Sequence, residues 1–301
     1  MSDFGLKGRT AIVTGAGGGL GRTHALLFAK HGANVVVNDL GGKADGSGKG
    51  SEMADKVVAE IKAMGGNAVA NYDSVSTEAG ANGIVKSALD AFGKVDILVN
   101  NAGILRDTSF VKMTDAEWDL VFAVHVKGAY YCTKAVWGPM REQKYGRVVL
   151  TSSASGIYGN FGQTNYSAAK MALVGFGQTL ALEGEKYNIR VNTIAPVAAS
   201  RMTESLLPPF VLDKLKPECV SPLVVYLCSE NIDVSGELYE VGAGAVSRIE
   251  WLRSAGLAMS PDEISVEAVA ANWSKINDMT DAKVLRSIGE STQATLAHCM
   301  G

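Results

Sequence analysis

The stretch Thr10-Ala11-Ile12-Val13-Thr14 runs without a break into Gly15-Ala16-Gly17-Gly18-Gly19-Leu20-Gly21. A short β-branched run of this kind, apolar at its centre, predicts a strand buried on both faces of a parallel sheet. Five of the next seven residues are glycine, and Ala25, Leu26, Leu27 and Ala29 then fall in a helical stretch over 19–31. Strand, glycine turn and helix in that order make a phosphate cradle. Glycine permits the tight turn and close backbone approach, while the helix start offers free N–H groups and a positive dipole end. Gly15, Gly19 and Gly21 give the spacing G-x-x-x-G-x-G, with Leu20 between the last two. These four residues are the first expected to hold a dinucleotide.

The same alternation continues outward. Asn34–Asn38, Val95–Val99, Arg147–Thr151 and Ile189–Ile194 read as further strands, with Ala68–Ala70 and Leu238–Val241 as two more. Helical patterns fill 51–64, 79–92, 114–144 and 163–187. Alternating β and α predicts an α/β fold, a doubly wound parallel sheet of Rossmann type, with ligands at the carboxyl ends of the strands. Residues 41–50 hold five glycines and read as a flexible loop. They fail as a Walker phosphate loop, because Lys43 stands where the first Gly belongs and Gly50 follows Lys49.

After Gly244 the pattern changes. The expectation is a main domain over 1–244 and a small helical C-terminal extension over 245–301. The extension is too short for a core of its own, so it should pack on the main domain or a partner subunit. Within it, Ser260-Pro261-Asp262-Glu263 reads as a helix start, with the helix running on through Trp273 and Ile276.

Composition removes several function classes. The chain has 301 residues, 47% hydrophobic and 20% charged, which excludes a wholly disordered chain. A net charge of −3 provides no basic footprint for nucleic acid. No apolar run approaches the ~18 residues of a membrane span. Cys132, Cys219, Cys228 and Cys299 lie far apart, and no spacing with the four histidines suits a metal, so free thiols and no metal site are expected. The start shows no charged-then-apolar leader, and the end, His298-Cys299-Met300-Gly301, is not the Ser-Lys-Leu peroxisomal tripeptide. A soluble intracellular protein is expected.

Asp39 closes the second predicted strand, where a carboxylate accepts hydrogen bonds from an adenosine ribose and repels a 2′-phosphate. NAD is therefore expected over NADP, with nearby Lys43 as the contrary feature. Asp73, Ser74 and Val75 follow the third strand and should border the adenine. Asn101, Ala102 and Gly103 follow the fourth and should let the chain pass close under the cofactor. Asn100 suits a sheet-to-loop structural bond as well as it suits a ligand role.

Ser153 follows the predicted strand Arg147–Thr151, and Tyr166 and Lys170 follow thirteen and seventeen residues later. At i and i+4 the Tyr and Lys share one helical face. An ammonium about 5 Å from a phenol, at an effective dielectric of ~20, is worth roughly 3 kcal/mol and would draw the phenol from near 10 toward ~8. That is a working range for a general base.

Together, TGAGGGLG (14–21), NNAG (100–103), Ser153 and YSAAK (166–170) resemble the short-chain dehydrogenase/reductase family over about 7–244. The resemblance implies Tyr166 as proton acceptor and Ser153 polarising the substrate oxygen, so that both touch substrate. It implies that Lys170 holds the nicotinamide ribose and lowers the Tyr pKa, and that Tyr166 also borders the cofactor. The family's usual Asn in N-x-x-G is His125 here. His125 either takes that residue's place in a water relay or is a buried structural histidine. The family's Pro-Gly loop reads Pro196-Val-Ala198-Ala199-Ser200-Arg201 here, and these residues should still flank the nicotinamide carboxamide.

A closer resemblance, over nearly the full chain, is to the (3R)-hydroxyacyl-CoA dehydrogenase units of peroxisomal multifunctional enzymes of type 2. It is carried by VVVNDLGG, VANYDSV, VNNAGILRD, SASGIYGNFGQ, NTIAP, SRMTE, EVGAG, NWSKI and SIGEST. It implies NAD-dependent oxidation of (3R)-3-hydroxyacyl-CoA in fatty-acid β-oxidation, a homodimer, peroxisomal residence, and in longer relatives fusion to an enoyl-CoA hydratase unit. Two other readings stand beside it. One is an NADP-dependent reductase of 3-ketoacyl or other carbonyl groups, opposed by Asp39. The other is an NAD-sensing module without catalysis, opposed by the intact Ser153, Tyr166 and Lys170.

Overall fold

The computed structural model describes residues 4–198 and 212–297. It divides into two compact units, one ending at Arg248 and one starting at Ile249. The first holds β1 (Thr10–Thr14), α1 (Gly19–Lys30), β2 (Asn34–Asn38), α2 (Glu52–Ala63), β3 (Asn67–Asn71), α3 (Glu78–Phe92) and β4 (Ile97–Asn100). Then come α4 (Asp115–Phe122), α5 (Gly128–Glu142), β5 (Gly146–Thr151), α6 (Ala154–Tyr158), α7 (Thr164–Gly184), β6 (Ile189–Pro196), α8 (Ser221–Leu227), β7 (Leu238–Gly242) and β8 (Ala245–Ile249). The strands form one sheet in the order β3-β2-β1-β4-β5-β6-β7-β8, with every pair from β3 to β7 parallel. The order reverses between β1 and β4, and a crevice opens at the carboxyl ends of such strands.

Successive strand residues face opposite layers, which is why these runs are continuously apolar. Ala11, Val13, Val35, Val37, Ile97 and Val99 enter the core under α1, α2 and α8. Ile12, Val36, Leu98, Val148 and Leu150 enter the other, under α3, α5 and α7. Cys132 and Cys228 are buried in these layers, and burial pushes the Cys132 thiol up to about 12 and the Cys228 thiol higher still. Cys219 is half-buried. At the amino end of the sheet, buried Asp96 accepts the Thr10 N–H (2.8 Å) and pairs with Arg9 (2.9 Å) and Lys94 (3.2 Å).

Three sequence expectations need correction. The helix expected over 114–144 is broken by a π turn at Ala123–Lys127, between α4 and α5. Gly128 packs so tightly there that a Cβ would lie 2.9 Å from Val75 Cγ2. The loop over 41–50 is not loose. Lys43 N–H bonds Ser47 O (2.7 Å), Gly50 N–H bonds Leu40 O (3.0 Å), and Leu105 N–H reaches across to Ala44 O (3.0 Å).

The third correction lies in the second unit, which holds β9 (Leu252–Arg253), α9 (Val266–Ala271), α10 (Trp273–Ile276), β10 (Lys283–Val284) and α11 (Ile288–Leu296), with β9 and β10 antiparallel. Ser260–Glu263 closes as a turn, with Ser260 donating to Glu263 Oε2, and the helix starts only after Ser265, whose hydroxyl accepts Ala268 N–H (3.1 Å). No described residue of this unit is fully buried, so by itself it holds no core. Among the described residues, no helix is long and apolar enough to cross a membrane.

Candidate active site

The glycine turn after β1 has little room for any side chain. Gly15 adopts φ +62°, and a Cβ on it would lie 2.8 Å from Ala102 Cα. On Gly21 a Cβ would lie 2.2 Å from Gly15 O. Residue 18 caps α1 as glycine, so no side chain occupies the helix start, and its N–H groups face a cleft of about 580 Å³. Gly15, Gly19, Leu20, Gly21, Asp39, Asp73, Ser74, Val75, Asn101, Ala102, Gly103 and Ala198 all line it. The volume lies within the range of cofactor sites. An elongated diphosphate that needs close backbone approach fits this cradle.

Two of these residues also build the wall they line. Asp39 Oδ2 accepts Gly17 N–H (2.8 Å) and Oδ1 accepts Gly41 N–H (2.7 Å), which leaves further lone pairs for a ligand hydroxyl. Asn101 Nδ2 donates to Thr14 O (2.9 Å) and Gly15 O (3.1 Å), so its amide pins the glycine turn. Asn100 donates to Thr133 Oγ1 (3.1 Å), a sheet-to-helix bond. Lys43, named above for its bearing on the cofactor, lines the cleft too, whereas Ala44, Gly46, Met53, Ile104, Leu120 and Val124 were missed in the sequence. The glycine-rich loop carried no periodic signal for its docking on Ile104 and Leu120. Pro196 ends β6. Ala199, Ser200 and Arg201 lie outside the described residues.

Ser153, Tyr166 and Lys170 meet beside the Ile104 end of the cleft. Tyr166 packs on the cluster formed by Ile104, Val121 and Ala169. Ser153 caps α6, its hydroxyl accepting Ser155 N–H (3.2 Å). Lys170 Nζ lies 5.5 Å from the Tyr166 ring centre and donates to Thr151 O (2.6 Å), at the end of β5. Ser152 is a support, donating to Lys170 O (2.8 Å). Asn165, fully buried, accepts Tyr166 N–H (2.7 Å) and donates to Arg106 O (3.1 Å).

The electrostatics correct one expectation. Burial holds the Tyr166 phenol above its ordinary range, with the Ser153 hydroxyl pulling the other way. Burial also pushes Lys170 down to about 7. A lysine near half-protonation at neutral pH, turned toward a carbonyl, exerts less field on the phenol than the i, i+4 spacing suggested. His125 sits on the π turn, edge-on to Tyr166 at 5.3 Å. Its Nε2 lies 2.9 Å from Ile104 O and 3.1 Å from Ile104 N, and Nδ1 is buried without a partner. Burial first, then the Lys170 charge, pushes it down to about 3, so the ring is neutral. The structural reading of His125 is the one its bonds support.

The family described as short chain dehydrogenase matches residues 9–207. This chain belongs to the short-chain dehydrogenase family. Its fold is that of an oxidoreductase family, and the glycine turn suits a nucleotide cofactor. Among relatives in this family, the peroxisomal multifunctional enzyme A of Dictyostelium discoideum is 55% identical over 97% of this chain and 65% of its own length. The full-length peroxisomal multifunctional enzyme type 2 of Drosophila melanogaster superposes with a TM-score of 0.82 at 42% identity, over 97% of this chain and 49% of that one. A 7α-hydroxysteroid dehydrogenase complexed with NADH is also a structural neighbour, with a TM-score of 0.73 at 30% identity over 81% of this chain and 96% of its own. The chain thus spans about half to two thirds of these two multifunctional relatives.

Proposed function

We propose that this short-chain dehydrogenase oxidises (3R)-3-hydroxyacyl-CoA to 3-ketoacyl-CoA with NAD, in fatty-acid β-oxidation. The observation that carries the reading is the convergence of Ser153, Tyr166 and Lys170 beside a dinucleotide cleft whose ribose wall ends in Asp39. Kinship with peroxisomal multifunctional enzymes supports the acyl-CoA substrate and peroxisomal residence. The proposal includes a homodimer and association with a hydratase unit.

The residues divide the work as follows. The Ser153 hydroxyl donates to the substrate oxygen and stabilises the charge that grows on it. Tyr166 Oη takes the hydroxyl proton as the carbon–oxygen bond becomes a carbonyl. Lys170 holds the ribose and keeps a positive charge near the phenol when protonated. Asn165 holds the Tyr166 backbone, and His125 holds the Ile104 backbone against which Tyr166 packs. A bound nicotinamide supplies the hydride acceptor.

Lys43 in the cleft wall favours the rival, NADP-dependent reductase. Initial rates with (3R)- and (3S)-3-hydroxyacyl-CoA, each with NAD and NADP, separate the readings. Oxidation of the (3R) form with NAD is expected. Preference for NADP, or for the (3S) form, overturns the proposal.

A further inference from the structure

Asn165 is the second residue of α7, so the Tyr166 N–H that follows it is one of those a helix start leaves without an intrahelical acceptor. Asn165 Oδ1 accepts that N–H at 2.7 Å. Its Nδ2 donates to Arg106 O (3.1 Å) and, at 3.4 Å, to Glu117 O on α4. A buried amide is costly unless its polar atoms are bonded, and here both are. A serine hydroxyl would suffice to cap one N–H. What the amide adds is a simultaneous grip on the segment after β4 and on α4.

The gripped segment is tied along its whole length. Over 104–108, Ile104 bonds His125 Nε2 on the π turn, and Leu105 N–H donates to Ala44 O (3.0 Å). Arg106 O accepts from Asn165, Asp107 Oδ2 from Gln163 Nε2 (2.7 Å), and Thr108 N–H donates to Gly162 O (2.9 Å). The Ala44 bond belongs to the 41–50 loop, a wall of the dinucleotide cleft. That loop also rests on Ile104, since a Cβ on Gly46 would lie 3.2 Å from Ile104 Cδ1. Cofactor wall and proton acceptor therefore share one short length of chain, tied at one side by Ala44 and at the other by Asn165. We propose that Asn165 is a positioning residue, through which a dinucleotide seated against the 41–50 loop sets where the Tyr166 phenol stands. The inference rests on the reading of Tyr166 as proton acceptor given above. A misplacement of about 1 Å costs on the order of 10²-fold in rate, so slack at this one amide is readable in kcat.

The test is a double-mutant cycle of Asn165→Ala and Gly46→Val in the full chain, read as kcat at saturating (3R)-3-hydroxyacyl-CoA and NAD, with NADH affinity from a fluorescence titration. Gly46 adopts φ +83°, so a valine there must shift the loop on Ile104. Asn165→Ala should lower kcat by about tenfold or more and leave the NADH Kd within about twofold. Gly46→Val should lower kcat as well, and the double variant should be no slower than the slower single, because both cut one link. Losses that multiply overturn the inference, and so does an unchanged kcat in either single variant. Asn165→Asp separates positioning from a mere failure to fold. Protonated, its carboxyl donates to Arg106 O as the amide does; ionised, it sets a negative charge against Arg106 O and Glu117 O. Its kcat relative to the unaltered protein should therefore be about tenfold higher at pH 6 than at pH 9. A ratio that does not change with pH overturns the inference. Each of these failures leaves the reaction assignment intact. Normal turnover in Tyr166→Phe, by contrast, removes the proton acceptor from the proposed function, and this inference with it.

Discussion

Tyr166 and its neighbours show what one side chain is asked to do. Replacing it with Phe removes the group proposed to take the substrate proton, so turnover should fall by at least ~10² while dinucleotide binding persists. Stopped-flow rates and a fluorescence titration of NADH check the two halves. Near-normal turnover would remove Tyr166 from the mechanism. His24 tests a different property. Its ring is wholly buried, donates to or accepts from Ser221 Oγ at 2.7 Å, and burial pushes it down to about 3. The unfolded chain takes up a proton near 6.5 and the folded chain does not, so stability is complete above that pH and is lost as pH falls toward 3. Between pH 7 and pH 5 the loss through His24 is about 2 kcal/mol. In His24→Gln, the unfolding free energies from denaturant titrations at the two pH values should differ by that much less than in the unaltered protein. Equal differences would show that His24 is already protonated in the fold. The i, i+4 spacing marked Tyr166 and Lys170, and the family resemblance picked Ser153 from its neighbours. It did not reveal where the Lys170 ammonium points, because a hydrogen bond to Thr151 O depends on how β5 and α7 are packed rather than on their separation along the chain.

The elements were legible where burial was two-sided. β1 and β2 fall on the residues expected, since an apolar run between glycine-rich turns can satisfy its backbone only in a sheet. What escaped were the interruptions: the π turn that carries His125, and the tie from Ala44 to Leu105 that draws the 41–50 loop onto the cleft. Both arise from close packing between segments distant in sequence, which periodicity does not record. The glycine turn provides the element-scale prediction. Gly21→Ala would place a methyl group 2.2 Å from Gly15 O and 2.6 Å from Asn101 Nδ2. The turn must open to accept it, and NADH should bind at least tenfold more weakly in calorimetry. Unchanged affinity would mean that the cradle is looser than its geometry. On the facing wall, Asp39→Ala removes a ribose acceptor and a repulsive charge together, so the ratio of kcat/KM for NAD to that for NADP should shrink. A ratio that stays the same would assign the cofactor choice to other residues.

At the scale of the whole molecule, the two units pose the question of what covers the second. Trp251, Leu252, Val266, Trp273 and Ile288 are all exposed. Fully covering one such side chain contributes roughly 2–3 kcal/mol. A chain ending at Arg248 should keep its α/β circular-dichroism spectrum, melt at a lower temperature and sediment as a weaker dimer. Identical melting and sedimentation would make the second unit dispensable. The change in pattern after Gly244 set the expected boundary there, while β8 (Ala245–Ile249) still belongs to the sheet. The interior of the first unit has a separate consequence for the chemistry of sulfur. Thiolates are the species that alkylating agents and peroxide attack, and the thiols of Cys132 and Cys228 are held far from ionising. Among the described cysteines, Cys219 alone is open to such reagents, so of these three it should be oxidised first, leaving the sheet's own sulfur untouched.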